Sequence, residues 1–581
     1  MLKTLRYLKP YRFGVALVFT LVALRAFLDL LLPTLLGNIV SEGLGLGEVV
    51  TPPNLERIFY YAALMLGATI VSIGVTIWGG YLESKISAGF AKNLRAAVYR
   101  KIEKFSLREM DHFTTSSLIT RTTNDIQQLQ GTVHMLLRMI ILAPLLAAGA
   151  ITFSIIQHPT LSMVLVASVT ALVTMLVIVF SIVLPKFQLV QLLVDRLNLV
   201  TRENLTGLRV VRAYNTQEYQ ANRIDQASRE SMRLNIFVNR VSSVMWPFMG
   251  LIQGLTSLII VYVGARYFVG LNGFSPASLM ALMQYAMRAV MAFMFMSFIF
   301  VSIPRAAISA RRVMSVLEMD IEIKDPEVPA ELPVEIKGEI EFKDVSFQYP
   351  DAQEPVLSHI TFKVKPYSTT AFIGSTGSGK STLINLIPRF YERTSGMITI
   401  DGIDIKDMKQ KDLHGVIGYV PQQGILFGGT IKDNILFSEH AQESDLEDAA
   451  SIAQAHTFIE EMEGGYEHEI AQGGTNVSGG QRQRLSIARA IAKNPPIYIF
   501  DDSFSALDYK TDQKLRKMLD EKIQATKLIV AQRINTIRHA DQIIVLDEGT
   551  IVGMGTHEEL MKSSKVYQEI ASSQLSKEEL A

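Results

Sequence analysis

The sequence predicts a chain of two dissimilar parts: a membrane-embedded, all-α domain of six helices fused to a cytoplasmic α/β domain built around a P-loop. Three observations lead there. Apolar runs of bilayer length crowd the first half and are missing from the second. Lys and Arg gather in alternate loops between those runs. Near residue 374, a glycine-rich stretch follows a strand-like apolar run, Thr370–Ile373, and opens a helix-like one, Leu383–Phe390.

Composition agrees. The 581 residues are too many for one compact domain, and 49% hydrophobic against 19% charged residues point to membrane-embedded segments. Formal net charge is zero, so nothing points to nucleic acid. The absence of cysteine excludes disulfides, thiolate metal sites and cysteine nucleophiles, and fits a bacterial inner-membrane protein. Lys3, Arg6, Lys9 and Arg12 before an apolar run have the order of a signal peptide. The run Phe13–Leu36 is too long for one and offers no small-residue cleavage site, so it reads as a retained first membrane helix.

Taken in order, residues 1–12 read as a short amphipathic helix at the cytoplasmic surface, with Tyr7 and Tyr11 among its basic residues. Spans of bilayer length follow at about 13–36, 57–82, 133–156, 160–184, 244–269 and 277–303. The 37–55 segment has no Lys or Arg and holds Glu42 and Glu48, which places it outside. The 85–130 and 185–242 segments are basic and lie inside, as do both termini. Both inner segments are polar and helix-forming, so the membrane helices are expected to continue into the cytoplasm. In the last span Met280, Met283, Met287, Met291 and Met294 share one face, which suits a cavity for varied apolar cargo or simple packing. Gln253, Gln284 and Arg288 are polar within apolar spans, and Arg25 and Asp29 stand four apart as a pair. The membrane domain is assigned to 1–318 and a proline-broken linker (Pro326, Pro329, Pro333) to 319–336. The remainder, 337–581, has the composition of a soluble α/β domain.

The chemistry sits in that last part. Gly374, Ser375, Thr376, Gly377, Ser378, Gly379, Lys380, Ser381 and Thr382 have the spacing of a P-loop, whose backbone N–H groups cradle phosphates at a helix N-terminus. Lys380 is placed to reach the β- and γ-phosphates of ATP, and Ser381 to hold Mg²⁺. Downstream, Val477, Ser478, Gly479, Gly480 and Gln481 precede a helical run from Arg482 to Ala492. The apolar strand Ile497–Phe500 then delivers Asp501 to its end as a metal ligand, followed by Ser505–Ala506–Leu507–Asp508.

This order and spacing resembles the ATPase domain of ABC transporters, and the likeness extends over nearly the whole chain. The resemblance implies two such domains clasping two ATP molecules, each site joining one chain's P-loop to the other's Val477–Gln481 signature and Asp508. It implies that Tyr349 stacks on adenine and that Gln422 touches Mg²⁺. It also implies two short coupling helices, near Asp111–Thr120 and near Gly207–Tyr214.

Two positions depart from the family pattern. The residue after Asp501, normally the Glu that polarises the attacking water, is Asp502. Removing one methylene withdraws the carboxylate by roughly 1.5 Å, and a misplacement of ~1 Å costs ~10²-fold in rate. The switch histidine is Gln532, which can donate a hydrogen bond but carries no charge. Gln472 also stands where Glu is usual. The resemblance therefore implies the degenerate-site subunit of a heterodimeric bacterial multidrug exporter. Such a subunit holds ATP and Mg²⁺ and lends its signature to a second half-transporter, moving amphipathic drugs or lipids across the bilayer. Alternatives are a homodimeric exporter of lipid or peptide, and an ATP-binding sensor subunit.

Overall fold

A computed structural model describes residues 3–47, 51–269, 276–350 and 352–574; Glu48 and the end of the charged tail lie outside them. The chain divides into two compact units, one of Met1–Glu103 with Thr114–Met319, the other of Lys104–Phe113 with Asp320–Ala581.

The first unit is helical. Its opening turn, Thr4–Tyr11, is a 3-10 rather than an α-helix, and Pro10 within it lacks the N–H that a regular helix would use. Then come α1 (Arg12–Asn38) and α2 (Leu55–Ile102). Asn54 starts α2 by accepting the Arg57 N–H at 3.2 Å. The chain next passes through α3 (Leu107–Phe113), which belongs to the second unit, and returns as α4 (Thr115–Thr120) and α5 (Ile126–Gln157). Pro159 opens α6 (Pro159–Thr206), and α7 (Leu208–Ala213), α8 (Gln217–Ser243), α9 (Met245–Val269) and α10 (Pro276–Leu317) complete the unit. Among the described residues, six helices are long and apolar enough to cross a membrane.

Packing follows small residues. Ala143, Ala147 and Ala150 on α5 and Ala286, Ala289 and Ala292 on α10 are buried, and the two helices pack along each other. Tyr285, fully buried, shares a 2.6 Å hydrogen bond with Thr34 and donates to the Leu30 carbonyl at 3.2 Å, pinning α10 to α1. Lower down, buried Asp125 accepts from Ser309 at 2.8 Å and Arg312 at 2.5 Å. The Arg25–Asp29 pair forms at 3.7 Å, and Ser72 donates to Asp29 at 3.2 Å. The methionine face is divided: Met280, Met287 and Met291 are exposed, whereas Met283 and Met294 are half-buried. Gln253, Gln284 and Arg288 are half-buried as well.

The first short helix differs from its expected place near Asp111–Thr120. It is α3, and it ends at Thr114, whose φ of 55° breaks the helix; Thr115–Thr120 instead leads into α5. Its start is fixed by Glu109, which accepts from Ser106 N and Oγ, both at 2.6 Å. The second, α7, lies within the expected Gly207–Tyr214.

In the second unit no helix or strand interrupts 319–339. Strands β1 (Ile340–Phe347), β2 (Leu357–Val364) and β3 (Thr369–Gly374) lead to α11 (Lys380–Leu386). Then come β4 (Ser395–Ile400), β5 (Ile403–Asp404), α12 (Gln410–Gly415), β6 (Ile417–Val420) and β7 (Gly429–Thr430). A mainly helical section holds α13 (Ile431–Ile435), α14 (Leu446–Ile452), α15 (His456–Glu460) and the short β8 (Glu469–Ile470). The signature opens α16 (Gly479–Ala492), followed by β9 (Ile497–Asp501), α17 (Tyr509–Lys522) and β10 (Thr526–Val530). They are followed by α18 (Ile534–Ile537), β11 (Gln542–Asp547) and β12 (Thr550–Gly555).

An antiparallel sheet ordered β2-β1-β4-β5 lies beside a six-stranded one ordered β12-β11-β3-β10-β9-β6. In the larger sheet β11, β3, β10, β9 and β6 run parallel, and every residue of β9 and β10 is buried. Such continuous apolar runs are what a sheet covered on both faces requires. Because the strands are parallel, their C-terminal ends share one edge. The turns after β3, β6 and β10 carry the P-loop, Gln422 and Gln532, and β9 ends in Asp501 with Asp502 opening the turn after it.

Candidate functional site

The turn after β3 is built for close approach by a ligand. Gly377 and Gly379 have φ of 86° and 95°, and a β-carbon at Gly379 would stand 2.7 Å from Leu357 Cδ2. Gly379 caps α11, so the loop's N–H groups and the helix N-terminus point the same way. Lys380 folds across the loop, its Nζ donating to the carbonyls of Gly374 at 3.0 Å and Ser375 at 2.7 Å, and to Ser378 Oγ at 3.3 Å. Burial lowers the pKa of this ammonium, and the nearby Asp502 and Asp501 carboxylates work against that shift.

Ser381 Oγ donates to Asp501 Oδ1 at 3.0 Å. Burial raises the pKa of Asp501, while the Ser381 hydrogen bond opposes the rise. Two hard oxygen donors held in contact beside an ammonium are a fitting donor set for Mg²⁺ with phosphate oxygens. Among the described residues, no cluster of three or more His, Asp or Glu side chains offers a metal site of its own.

Asp502 sits in a left-handed conformation, φ 47°, with its N–H bonded to the Val530 carbonyl at 3.0 Å. Its Oδ2 accepts from Gln532 Nε2 at 2.9 Å and from Gln422 Nε2 at 3.3 Å. Both amides converge on one carboxylate oxygen. Burial again raises its pKa, opposed first by the Gln422 hydrogen bond.

Tyr349 stands at the other side of the loop, its hydroxyl 3.1 Å from Thr382 Oγ1. Its ring meets Phe347 and Tyr391 edge-on, with centroids 4.8 and 5.3 Å away. The Tyr391 hydroxyl in turn donates to Asp111 on α3 at 2.9 Å.

The signature residues are placed elsewhere. Ser478 and Gln481 cap α16 reciprocally: Ser478 Oγ accepts the Gln481 N–H at 3.2 Å, and Gln481 Oε1 accepts the Ser478 N–H at 2.8 Å. Ser478 and Gly479 are exposed, Gly480 is half-buried, and Asp508 caps α17 through the Thr511 N–H at 3.0 Å. Among the described residues, no hydrogen bond joins any of them to the P-loop. One residue that sequence reading passed over connects the two regions. Buried Gln483 on α16 donates to the Pro421 carbonyl at 3.1 Å and accepts the Gly424 N–H at 2.9 Å, holding the turn that carries Gln422. Its position inside an amphipathic helix, on the apolar face, is the only sequence signal for that role.

The family model described as ABC transporter matches residues 357–505, and that described as ABC transporter transmembrane region matches 15–302. An uncharacterized ABC transporter ATP-binding protein of Mycobacterium tuberculosis is 36% identical over 98% of this chain and 97% of its own length. The chain belongs to the ABC transporter family. It is an exporter-type half-transporter in which the transmembrane and ATPase regions share one polypeptide. An ATP-dependent lipid A-core flippase of Syntrophus aciditrophicus is 31% identical over 96% of this chain and 92% of that protein. The fold is shared with the structure of a bacterial Atm1-family ABC exporter with ATP bound, at a TM-score of 0.81 and 24% identity, covering 97% of this chain and 100% of the other. As a half-transporter of this family the chain is a multi-pass membrane protein, and its ATPase domain makes it an ATP-hydrolysing transporter.

Proposed function

We propose that this half-transporter binds ATP and Mg²⁺ at its own P-loop, hydrolyses ATP there poorly, and completes an active site on a partner chain through its signature. Tyr349, Gly374–Thr382 and Gln422 hold the nucleotide. Ser381, Asp501 and Gln422 hold Mg²⁺, which when bound neutralises charge on the phosphates. Ser478, Gly479, Gly480, Gln481 and Asp508 serve the partner's nucleotide. Their exposure, away from this chain's P-loop, supports that division. The partner is a second, non-identical half-transporter in the cytoplasmic membrane, with both ATPase domains and all termini inside. The cargo is an amphipathic drug or lipid.

The observation that carries the reading is the pair of amides on Asp502. A general base must present a free lone pair within reach of the water it polarises. Here the carboxylate is one methylene short, and one oxygen already accepts two N–H donors. Gln532 carries no charge to set against a γ-phosphate, and it turns an amide N–H to Asp502 instead.

The test is ATP hydrolysis by the chain alone, with its co-expressed partner half, and with Asp502→Glu combined with Gln532→His. Low activity alone, high activity when paired and a gain on restoring both residues are expected. High activity of the unmodified chain alone would overturn the asymmetric reading.

A further inference from the structure

Between α1, α2 and α5 lies a cavity of about 50 Å³, walled by Arg25, Thr76, Gly79, Gly80, Glu83 and Arg138 together with Leu21, Val22 and Val75. Its depth can be read from helix register. A β-carbon at Gly14, just inside the apolar start of α1, would sit 3.1 Å from Ile86 on α2. Glu83 is three residues further toward the membrane interior, roughly 4–5 Å deeper at 1.5 Å per residue.

Glu83 is 4% exposed and, among the described residues, makes no hydrogen bond or ion pair. Arg138, His134 and Arg25 are the groups whose charge acts on it. Arg25 is engaged by Asp29, its Nε 3.7 Å from Asp29 Oδ2, whereas Arg138 on α5 is exposed and, among the described residues, makes no hydrogen bond or ion pair. A carboxylate at this depth without a partner is costly, and residues of this kind line substrate paths. The unmatched charges are thus one carboxylate inside and one guanidinium at the mouth. A simple cation would meet Glu83 but be repelled by Arg138; a simple anion would suffer the reverse. A zwitterion satisfies both.

We propose that this cavity is a headgroup site for an amphiphile bearing a primary ammonium and a phosphate ester, with the ammonium on Glu83 and the phosphate on Arg138. A primary ammonium can donate N–H bonds to the Glu83 carboxylate. A trimethylammonium is larger by three methyl groups and has no N–H to donate. The site therefore selects ethanolamine over choline headgroups. The proposal rests on the exporter reading only for the claim that such an amphiphile is cargo; the binding site stands without it.

The experiment titrates the purified full-length transporter with short-chain phosphatidylethanolamine, phosphatidylcholine and phosphatidylglycerol, read by native mass spectrometry. Phosphatidylethanolamine should bind at least ~10-fold more tightly than either of the others. Glu83→Gln should reduce that preference to within about twofold, and Arg138→Gln should weaken all three phospholipids, because the phosphate is common to them. A β-carbon at Gly79, which lines the cavity, would stand 4.0 Å from Glu83 Oε1, so Gly79→Ala narrows the cavity beside the carboxylate without a clash and should reduce the preference with the fold intact. Equal affinity for the ethanolamine and choline lipids overturns the proposal, as does a preference that survives both Glu83→Gln and Gly79→Ala. Phosphatidylglycerol binding as tightly as phosphatidylethanolamine would mean recognition by arginine alone and would also overturn it. Headgroup selectivity without ATP-driven flux of the ethanolamine lipid would refute its role as cargo while leaving the site in place.

Discussion

Removing the Glu109 carboxylate should release α3 from the ATPase unit while leaving nucleotide binding alone. Glu109 is 1% exposed and accepts three hydrogen bonds: from Ser106 N and Oγ at 2.6 Å each, and from the Glu322 N–H at 3.2 Å. Bonds to a charged acceptor contribute about 1.5–3 kcal/mol each, and the hydroxyl can turn elsewhere after the loss. Glu109→Ala should therefore cost ~3–5 kcal/mol locally. A helix this short is not stable by itself, since isolated helices under ~12–15 residues are marginal in water. Remaining ties include the Leu107 N–H to the Phe390 carbonyl at 3.2 Å, Asp111 to Tyr391 and the Arg108–Glu322 ion pair at 2.6 Å. At ~1.4 kcal/mol per decade, the Leu107–Phe113 amides should exchange with solvent at least ~10²-fold faster. Glu109→Gln keeps one acceptor oxygen and should fall between. Hydrogen exchange by mass spectrometry on nucleotide-bound protein reads this peptide by peptide. Unchanged exchange in Leu107–Phe113 would refute the reasoning, and so would an equal increase across the whole unit, which would mean global destabilisation.

Three further outcomes concern single side chains. Lys380→Met removes the ammonium from the loop and should weaken ATP binding by ~10²-fold or more, measured by fluorescent-nucleotide titration, with thermal stability of the unliganded protein changed little. Asp125→Ala deprives Ser309 and Arg312 of their acceptor at the base of α5 and α10; a loss of ~2–3 kcal/mol should appear as a lower melting temperature in detergent. Burial lowers the pKa of His414, whose Nε2 lies 2.9 Å from the Pro388 carbonyl and so carries the proton in the neutral ring. Because the folded value lies below the unfolded one, the unfolded state takes up the proton first. The contribution to stability is complete above ~6.5 and is lost as pH falls from there through the folded pKa. His414→Gln should flatten that part of the pH–stability curve, checked by melting between pH 7.5 and 5.

Much of this was readable in the chain. The P-loop, the Ser478–Gln481 stretch and the Asp501–Asp502 pair are contiguous, and each depends on local backbone form, so spacing alone identifies them. Residues that act across elements were not readable. Gln483 looks like one more polar residue in α16, and Tyr391 like one aromatic among many, because their roles depend on which strands lie side by side. The start of α3 was legible but passed over: Ser106–Leu107–Arg108–Glu109 has the Ser-x-x-Glu pattern of a capping box, and reading it would have moved the helix to its observed place. The methionine stripe shows a different limit. Its spacing is regular, yet the face it marks is only partly open, since helical periodicity states which residues align and not what covers them.

Gln483 has a mechanical consequence. With one amide it grips both ends of the Pro421–Gly424 turn from within α16, so turn and helix behave as a single stiff part. Any adjustment that re-seats Gln422 beside Asp502 must carry the far tip of that part, the Ser478–Gly479 end, along with it. A lever of this kind needs no turnover at its own pivot. A change at the nucleotide pocket is thereby delivered to the exposed Ser478–Gly479 tip, at whatever rate the pocket itself turns over.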